Sequence, residues 1–439
     1  MANDRNGKLS RRAVIAAAGS AVLAAPALGA APKRRRPAPP GFLWGTAISS
    51  YQSEGNNTNS DAWLMENITP TIFKERSGDA VDSYHRYAED FALAQRLGFN
   101  CYRLGIEWAR IEPSEGQFSY AELDHYARML ESCRAHGLKP VVTFNHFTVP
   151  LWFAERGGFE VADSPDIFAR YCRTAAEHLG GLMHLATTFN EANIQHLVHL
   201  FPEFIDKSKS QAVMEAARRA TNSPRFSRLA FADPEVISPI MQEAHRRGYA
   251  AIKAARPGLP VGMTLTTQDV QGSTPEITEL YRKRLYGDWP AVARSHADFF
   301  GVQTYTRFRV DAKGFVAPPK DAELTMAGYE YYPQALAETI RWAHQEIGKP
   351  IYVTESGIAA KDDARRIAFI DAALDGVREC IDEGIPVHSY LYWSLLDNFE
   401  WTSGYGVPFG LVAVDRETFK RTPRPSAFHL GALARANRI

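Results

Sequence analysis

Short apolar runs recur along the chain, each followed by a mixed polar and apolar interval about the length of a helix. The runs are rich in β-branched and aromatic residues, and they begin near Phe42, Cys101, Val141, Leu185, Val261, Phe299, Ile351 and Val387. Intervals of this length suit crossover helices between parallel strands. Eight such units predict an α/β fold, a single (β/α)8 TIM barrel with loop insertions, over residues 41–439.

Several of the intervening helices have clear apolar stripes and ends. Asp82–Leu97 carries apolar residues at helical spacing and stops at Gly98, and Tyr120–His136 shows the same pattern. Ser164 and the proline after it start a third helix. Residues 196–250 have helix and loop character with few strand signals. We therefore expect an excursion from the barrel after its fourth strand.

The first 32 residues are typical of an export signal. Arg11 and Arg12 precede an alanine-rich apolar run, Ala13–Ala27, and small residues follow it. Paired arginines before such a run resemble a twin-arginine signal, which predicts a periplasmic or secreted protein without stable membrane insertion after processing. A membrane anchor is the alternative, but the run is short for a span of about 20 residues and contains glycine and proline. Residues 33–40 are basic and proline-rich, and we predict a linker there.

The overall composition narrows the possible partners. The chain has 439 residues, 45% of them hydrophobic, and 50 basic side chains balance 50 acidic ones. A large core is therefore possible, and the lack of an extended basic face argues against a nucleic-acid partner. The four cysteines have no CxxC spacing, and His196 and His199 lack a carboxylate partner motif. No nucleotide-binding glycine loop is present, so we predict neither cofactor nor metal.

Two of the predicted strands end in a glutamate. The strand that begins at Ile351 leads into Glu355, and the strand that begins at Leu185 leads through Asn190 into Glu191. A single buried glutamate is most often a structural ion-pair partner, because an unpaired buried charge is costly. Two of them at the carboxyl ends of parallel strands would meet at one mouth of a barrel. Paired carboxylates there are the groups that glycoside hydrolysis uses.

Six segments, in order along the chain, resemble glycoside hydrolase family 1, the β-glucosidase-like enzymes. The segments are Phe42–Ala47 with Tyr51–Gly55, Tyr102–Ile111, Thr143–Phe147 with Pro150–Trp152, Thr188–Glu191, Val353–Gly357 and Tyr392–Trp401. Together they extend over nearly all of the chain after the predicted signal. The resemblance implies a retaining β-glycosidase that hydrolyses terminal β-D-glucosyl residues of a small carbohydrate or glycoside, with galactosyl and fucosyl residues as alternatives.

The resemblance also implies catalytic roles. Glu355 would be the nucleophile, kept ionised by Arg103 and Tyr305. Glu191 would be the general acid and then the base, with a pKa raised by the nearby negative charge of Glu355. Asn190 would donate to the sugar 2-hydroxyl. A retaining mechanism predicts a carboxyl separation of about 5–5.5 Å.

A further set of residues is expected to bind the sugar. These are Gln52, His146, Gln303, Trp393, Glu400, Trp401 and Phe409. Amide and carboxyl groups pair with the hydroxyl rim of a sugar, and an indole offers an apolar platform with one N–H donor. Glu400 favours a neutral sugar, since its carboxylate would repel a 6-phosphate.

The chain departs from the family pattern at a few positions. Ala192 replaces the usual proline after the acid/base, Gln303 replaces an asparagine, and Phe147 stands where tryptophan is frequent. The loops at 197–239 and 268–296 differ from the family pattern or are short. We therefore expect a wider or unusual site for the aglycone, which is the leaving group. Two alternatives stay open: a carbohydrate-binding barrel without catalysis, and an enzyme that mainly transfers the sugar to an acceptor.

Overall fold

The computed structural model describes residues 35–200 and 207–439. The chain divides into two units, Met1–Arg35 and Arg36–Ile439, and the predicted export signal at 1–32 lies outside the described residues. Within the predicted linker, the Arg36 N–H donates to the Ile439 carbonyl at 2.9 Å, and the Ala38 N–H donates to the Asn437 carbonyl at 2.8 Å. The folded unit therefore begins at Arg36, ahead of the predicted boundary at residue 41.

Eight parallel strands close into a barrel, which confirms the predicted fold. They are β1 (Leu43–Ala47), β2 (Cys101–Gly105), β3 (Lys139–Asn145), β4 (Leu185–Phe189), β5 (Val261–Thr266), β6 (Phe299–Gln303), β7 (Ile351–Ser356) and β8 (Val387–Trp393). Each strand pairs with its neighbours in chain order, and β1 pairs with β8 to close the ring. All eight strands begin within two residues of the positions that the apolar runs predicted.

Helices connect the strands and surround the barrel. They are α1 (Ser50–Glu54), α2 (Asp61–Asn67), α3 (Ser83–Leu97), α4 (Trp108–Ile111), α5 (Tyr120–Ala135), α6 (Leu151–Glu155), α7 (Ser164–Leu179), α8 (Ile194–Leu200), α9 (Lys207–Ala220), α10 (Pro234–Ala255), α11 (Pro275–Tyr286), α12 (Trp289–His296), α13 (Ala335–Ile347), α14 (Asp363–Asp382) and α15 (Pro425–Ala436). The three predicted helices are confirmed as α3, α5 and α7. The predicted excursion after β4 contains α8, α9 and most of α10. Among the described helices, none is both long and apolar enough to cross a membrane.

Shorter elements lie in the loops. Asp269–Gly272, Arg307–Asp311 and Gly314–Phe315 form a small sheet, and Val412–Val414 pairs with Arg421–Pro423. Short 3-10 turns lie at Gly158–Glu160, Gly180–Leu182, Leu229–Phe231 and Trp401–Ser403. The small sheet follows the ends of β5 and β6, so it adds a wall beside the mouth of the barrel.

The apolar core has two main parts. The larger part lies between the strands and the helices, and a separate cluster comes from the strands themselves: Leu43, Cys101, Val141, Leu185, Phe299 and Leu391. A barrel of this size is filled by its own side chains rather than by solvent. The four cysteines are buried free thiols, in keeping with their scattered spacing. Polar side chains collect instead at the carboxyl ends of the strands.

Candidate active site

The two strand-terminal glutamates line one cavity at the carboxyl-terminal mouth of the barrel. Glu355 belongs to β7, and Glu191 lies two residues after the end of β4. The cavity has a volume of about 320 Å³, and the glutamates are only 4% and 8% exposed. Parallel strands deliver their carboxyl ends to the same face of a barrel, which is why residues so distant in sequence meet here.

Three donors surround the Glu355 carboxylate. Arg103 of β2 forms a buried ion pair with it, the Tyr305 hydroxyl donates to it at 2.6 Å, and the Gln303 amide donates to it at 2.8 Å. Burial raises the pKa of Glu355, while the Arg103 charge and the Tyr305 hydrogen bond oppose that rise. Glu355 is therefore the member of the pair that retains negative charge.

Glu191 has the opposite environment. Burial raises its pKa well above the usual range, and the negative charge of Glu355 raises it further. Both glutamates line the same cavity. Glu191 has a left-handed backbone, φ 43°, and its N–H donates to the Thr264 hydroxyl at 2.9 Å. That conformation is uncommon outside glycine, so the surrounding contacts hold this residue in place.

Asn190 is oriented by two donors. Its Oδ1 accepts hydrogen bonds from the Arg103 guanidinium and, at 2.8 Å, from Gln303 Nε2. A guanidinium has only donors, so the atom that it contacts must be the amide oxygen. The NH2 group of Asn190 is thereby left to donate elsewhere, and Asn190 lines the cavity.

Gln303, which the sequence predicts to bind the sugar, is fully buried at the end of β6. Its contact with a sugar stays a prediction. Its amide nitrogen donates to Glu355 and Asn190. The longer side chain of glutamine lets it reach both groups from the end of β6. Gln303 thus positions Glu355 and Asn190 through these hydrogen bonds.

The other predicted sugar-binding residues all line the cavity. They are Gln52, His146, Trp393, Glu400, Trp401 and Phe409. Gln52 Nε2 donates to one Glu400 oxygen at 3.3 Å and Trp393 Nε1 donates to the other at 3.2 Å. Burial raises the pKa of Glu400 to about 8, and the Trp393 hydrogen bond opposes the rise. Burial and the Arg103 charge lower the pKa of His146 well below its usual value, so this imidazole is neutral.

Comparison with known proteins decides the family. Residues 34–227 and 262–439 match the sequence profile described as Glycosyl hydrolase family 1. The chain belongs to glycoside hydrolase family 1. Curated relatives include β-glucosidase A of Thermotoga maritima, which is 30% identical over 91% of this chain and 98% of its own. A β-glucosidase of Agrobacterium sp. is 29% identical over 90% of this chain and 95% of its own.

Solved family 1 structures share the whole fold. A β-glucosidase designated 1317, solved in its apo form, has a TM-score of 0.87 and 46% identity over 90% of this chain and 98% of its own. The β-glycosidase BGL167 has a TM-score of 0.87 and 45% identity over 91% of this chain and 98% of its own. A Thermotoga maritima β-glucosidase solved with glucoimidazole has a TM-score of 0.79 and 25% identity over 91% and 99%. This family 1 chain is therefore a glycoside hydrolase of the β-glucosidase type.

Sequence reasoning missed several lining residues of this family 1 site. Thr266 hydrogen-bonds Glu191, and Tyr329 and the face of α8 formed by Ile194, Leu197 and Val198 also line the cavity. The α8 residues have the i, i+3, i+4 spacing of one helix face, which the sequence does contain. Tyr329 lies in a long loop and carried no local signal.

No group of three or more potential metal ligands occurs among the residues that the structure describes. The ionisable carboxyl groups that line the family 1 cavity are Glu191, Glu355 and Glu400.

Proposed function

We propose that this glycoside hydrolase is a retaining β-glycosidase that removes terminal, non-reducing β-D-glucosyl residues through a covalent glycosyl-enzyme. The observation that carries the proposal is the unequal pair of carboxyl groups. Glu355 is stabilised as a carboxylate by Arg103 and Tyr305, while the pKa of Glu191 is raised well above its usual range. One nucleophile and one proton donor are what the first step of a retaining mechanism requires.

In the first step, a Glu355 oxygen bonds to the anomeric carbon as the glycosidic bond breaks. Glu191 transfers its proton to the departing oxygen, so the aglycone leaves as a neutral alcohol. Asn190, with its oxygen held by Arg103 and Gln303, directs its NH2 group to the sugar 2-hydroxyl. That hydrogen bond strengthens as positive charge develops on the sugar ring.

In the second step, the roles of the carboxyl groups change. The ester of Glu355 carries no negative charge, so the repulsion that added to the rise in the pKa of Glu191 disappears. Glu191 now takes a proton from water, and the water oxygen attacks the anomeric carbon and releases Glu355. Two inversions at one carbon retain the β configuration.

Specificity for a neutral sugar follows from Glu400 and its neighbours. Gln52 and Trp393 hold the two Glu400 oxygens, and His146, Trp393 and Trp401 form roughly parallel rings beside it. A carboxyl group at this position accepts hydrogen bonds from sugar hydroxyls and, when ionised, repels a phosphate. The similarity to β-glucosidases supports a glucosyl group as the sugar that is removed. We propose galactosyl and fucosyl groups as weaker alternatives.

A nucleophile variant tests the proposed mechanism. Glu355→Gln should abolish hydrolysis of 4-nitrophenyl β-D-glucoside, whereas Glu417→Gln, which changes an exposed carboxylate, should not. Proton NMR of the wild-type reaction should show β-glucose as the first product. First release of α-glucose, or full activity of Glu355→Gln, would refute the retaining assignment. Binding of glucosides without cleavage of any aryl β-glycoside would indicate a carbohydrate-binding barrel.

We also propose that the protein is exported through the twin-arginine signal at 1–32. Arg11 and Arg12 precede the apolar run as such a signal requires. In a bacterial host with this export route, the processed enzyme should collect outside the cytoplasm. The double change Arg11→Lys with Arg12→Lys should leave the unprocessed chain in the cytoplasm. Equal distribution of both forms would contradict the proposal.

A further inference from the structure

The wall nearest the acid/base residue is apolar. Helix α8 begins at Ile194, three residues after Glu191, and Ile194, Leu197 and Val198 line the cavity from one helix face. The leaving group must lie beside Glu191, because Glu191 protonates its oxygen. Whatever departs from the sugar therefore contacts this face of α8.

Other segments contribute further apolar and aromatic side chains. Phe308 of the small sheet, Ala327, Tyr329 and Val407 line the same cavity. Tyr329 lines the same cavity as the acid/base Glu191. The Tyr329 and Tyr305 ring centroids are 6.4 Å apart, so the aromatic wall continues to the nucleophile.

Two polar side chains of this region already form hydrogen bonds within the protein. The Thr306 hydroxyl donates to the Glu330 carbonyl at 2.8 Å, which uses its only donor. Gln268 Nε2 donates to the Thr266 hydroxyl at 2.7 Å, and Thr266 in turn hydrogen-bonds Glu191. Among the described lining residues, the charged carboxyl groups belong to the catalytic pair and to Glu400. Gln268 Oε1 has no hydrogen-bond partner within the part of the chain that the structure describes, and Thr402 and Ser403 also line the cavity. A second sugar would therefore find a few polar partners among side chains that are mostly apolar.

The loop that carries Ala327 and Tyr329 is anchored. Glu330 pairs with Arg307 at 2.7 Å, and Glu323 at the other end of the loop pairs with Arg365. Between them, the Met326 N–H donates to the Ala359 carbonyl at 3.0 Å. These contacts hold the apolar wall in place before substrate binds, so little ordering is required of it on binding.

We infer that the leaving-group side of this site takes an apolar alkyl or aryl aglycone in preference to a second sugar. The inference rests on the proposed β-glucosidase function and adds the chemical class of the aglycone. The apolar side chains that line the cavity lose water when an alkyl or aryl group enters, which is favourable. A sugar in the same place would exchange its hydrogen bonds to water for contacts with apolar atoms, which is costly.

A chain-length series isolates this preference. Methyl, butyl, hexyl and octyl β-D-glucosides have alcohol leaving groups of nearly equal acidity. Differences in kcat/KM among them therefore report contacts of the aglycone rather than leaving-group reactivity. The sugar hydroxyl released from cellobiose is more acidic, which favours cellobiose, so faster cleavage of an alkyl glucoside would not come from leaving-group reactivity. We expect kcat/KM to rise about two- to fourfold per methylene until the walls are filled, and hexyl β-D-glucoside to exceed cellobiose by about tenfold or more.

Variants then locate the binding face. Leu197→Asn should lower the hexyl-to-methyl ratio of kcat/KM several-fold, because it replaces an apolar lining side chain with a polar one. The ratio is taken within each variant, so a general loss of activity cancels. Leu280→Asn makes the same change at a 41%-exposed position on α11, outside the cavity, and should leave the ratio unchanged. Val198→Thr, which is nearly isosteric, provides a second test if Leu197→Asn fails to fold. A thermal unfolding curve establishes folding for each variant.

The outcomes separate this inference from the proposed function. A flat chain-length series, faster cleavage of cellobiose, or an unchanged ratio in both α8 variants would overturn the apolar-aglycone inference while hydrolysis itself persists. If the wild-type enzyme cleaves neither 4-nitrophenyl β-D-glucoside nor any alkyl glucoside, the β-glucosidase proposal and the inference both fall. If kcat/KM rises with chain length in the wild-type enzyme and Leu197→Asn or Val198→Thr flattens that rise, both the β-glucosidase proposal and the apolar-aglycone inference are supported.

Discussion

Two glutamates of identical chemistry acquire different roles because their neighbours differ. Arg103, Tyr305 and Gln303 all donate to Glu355, whereas Glu191 faces the negative charge of Glu355 and is oriented by threonine hydroxyls. The pKa of a carboxyl group follows its burial and its nearest charges, not its identity. The acid and the nucleophile are therefore distinguished by their surroundings.

Replacement of Glu191 should lower activity by an amount that depends on the leaving group of the substrate. In Glu191→Ala, kcat/KM for alkyl β-D-glucosides should fall by about 10²–10⁴, since a poor leaving group needs a proton. For 2,4-dinitrophenyl β-D-glucoside the loss should be far smaller, because that phenolate leaves without assistance. Equal losses on both substrates would argue against the assigned role.

The same variant makes a prediction for pH dependence. Glu191 must be protonated in the first step, and its pKa is raised, so wild-type kcat/KM should fall as pH rises through that pKa. Glu191→Ala has no such group, and its profile on the dinitrophenyl substrate should lose this alkaline decline. The check is kcat/KM measured across the pH range for both enzymes. An unchanged alkaline decline would assign it to another group.

Gln303 should affect the nucleophile through its hydrogen bond to Glu355. Gln303→Leu removes a donor to the Glu355 carboxylate, so the pKa of Glu355 rises and the acidic decline of kcat/KM moves to higher pH. Loss of one hydrogen bond to a charged group should lower kcat/KM about 10- to 100-fold. Gln303→Asn retains an amide and should lose less. An acidic decline at the wild-type pH in Gln303→Leu would contradict the positioning role.

At the scale of elements, a buried ion pair connects three separate segments around the site. Asp61 at the start of α2 pairs with Arg228 at 2.8 Å, and its other oxygen accepts from the Val149 N–H at 3.0 Å. Arg228 belongs to the excursion after β4, and Val149 follows the loop that carries His146. Burial raises the pKa of Asp61, and the Arg228 charge opposes the rise. The pair thereby holds the excursion against the sugar-binding loop.

Loss of this cation should be strongly destabilising. Arg228→Met leaves Asp61 buried without its partner, which costs about 3–5 kcal/mol of the free energy of unfolding. The control Arg282→Met removes an exposed partner of Glu279 and should cost less than about 1 kcal/mol. Denaturant unfolding of both variants measures the difference. Equal stability of the two variants would show that the buried pair contributes nothing.

At the scale of the whole molecule, two buried carboxyl groups, Glu400 in the cavity and Glu54 outside it, make stability depend on pH. Burial raises the pKa of Glu54 to about 7 and that of Glu400 to about 8. Both groups keep their protons in the folded chain over a pH range where they ionise in the unfolded chain. Their stabilisation is therefore present at low pH and is lost as pH rises toward 8. Functional sites often reduce stability in this way.

A variant at Glu400 should make that dependence visible. Glu400→Gln cannot ionise, so its midpoint of thermal unfolding relative to wild type should be higher at pH 8 than at pH 5 by a few degrees. The exposed control Glu417→Gln should show no such change with pH. Thermal unfolding at the two pH values is the measurement. A difference from wild type that is equal at both pH values would exclude Glu400 as the titrating group.

Features that depend on neighbouring residues in the chain could be predicted from the sequence, whereas features that depend on contacts between distant segments could not. The eight strands, three of the helices and both glutamates followed from local patterns, and strand geometry alone implied that the glutamates meet. Arg103 and Tyr305 contact Glu355 as the family resemblance implied. The supporting role of Gln303 and the inclusion of Tyr329 in the cavity could not be predicted, since each depends on contacts between distant segments.

The sequence by itself determined the barrel, the order of its strands and which acidic side chains stand at its mouth, because strand spacing and strand ends are local properties of the chain. Only the tertiary structure decided how deeply each glutamate is buried, which amide supports Glu355 and which apolar side chains line the cavity. Burial and electrostatic neighbours set those properties, and they arise only when residues far apart in the chain pack together.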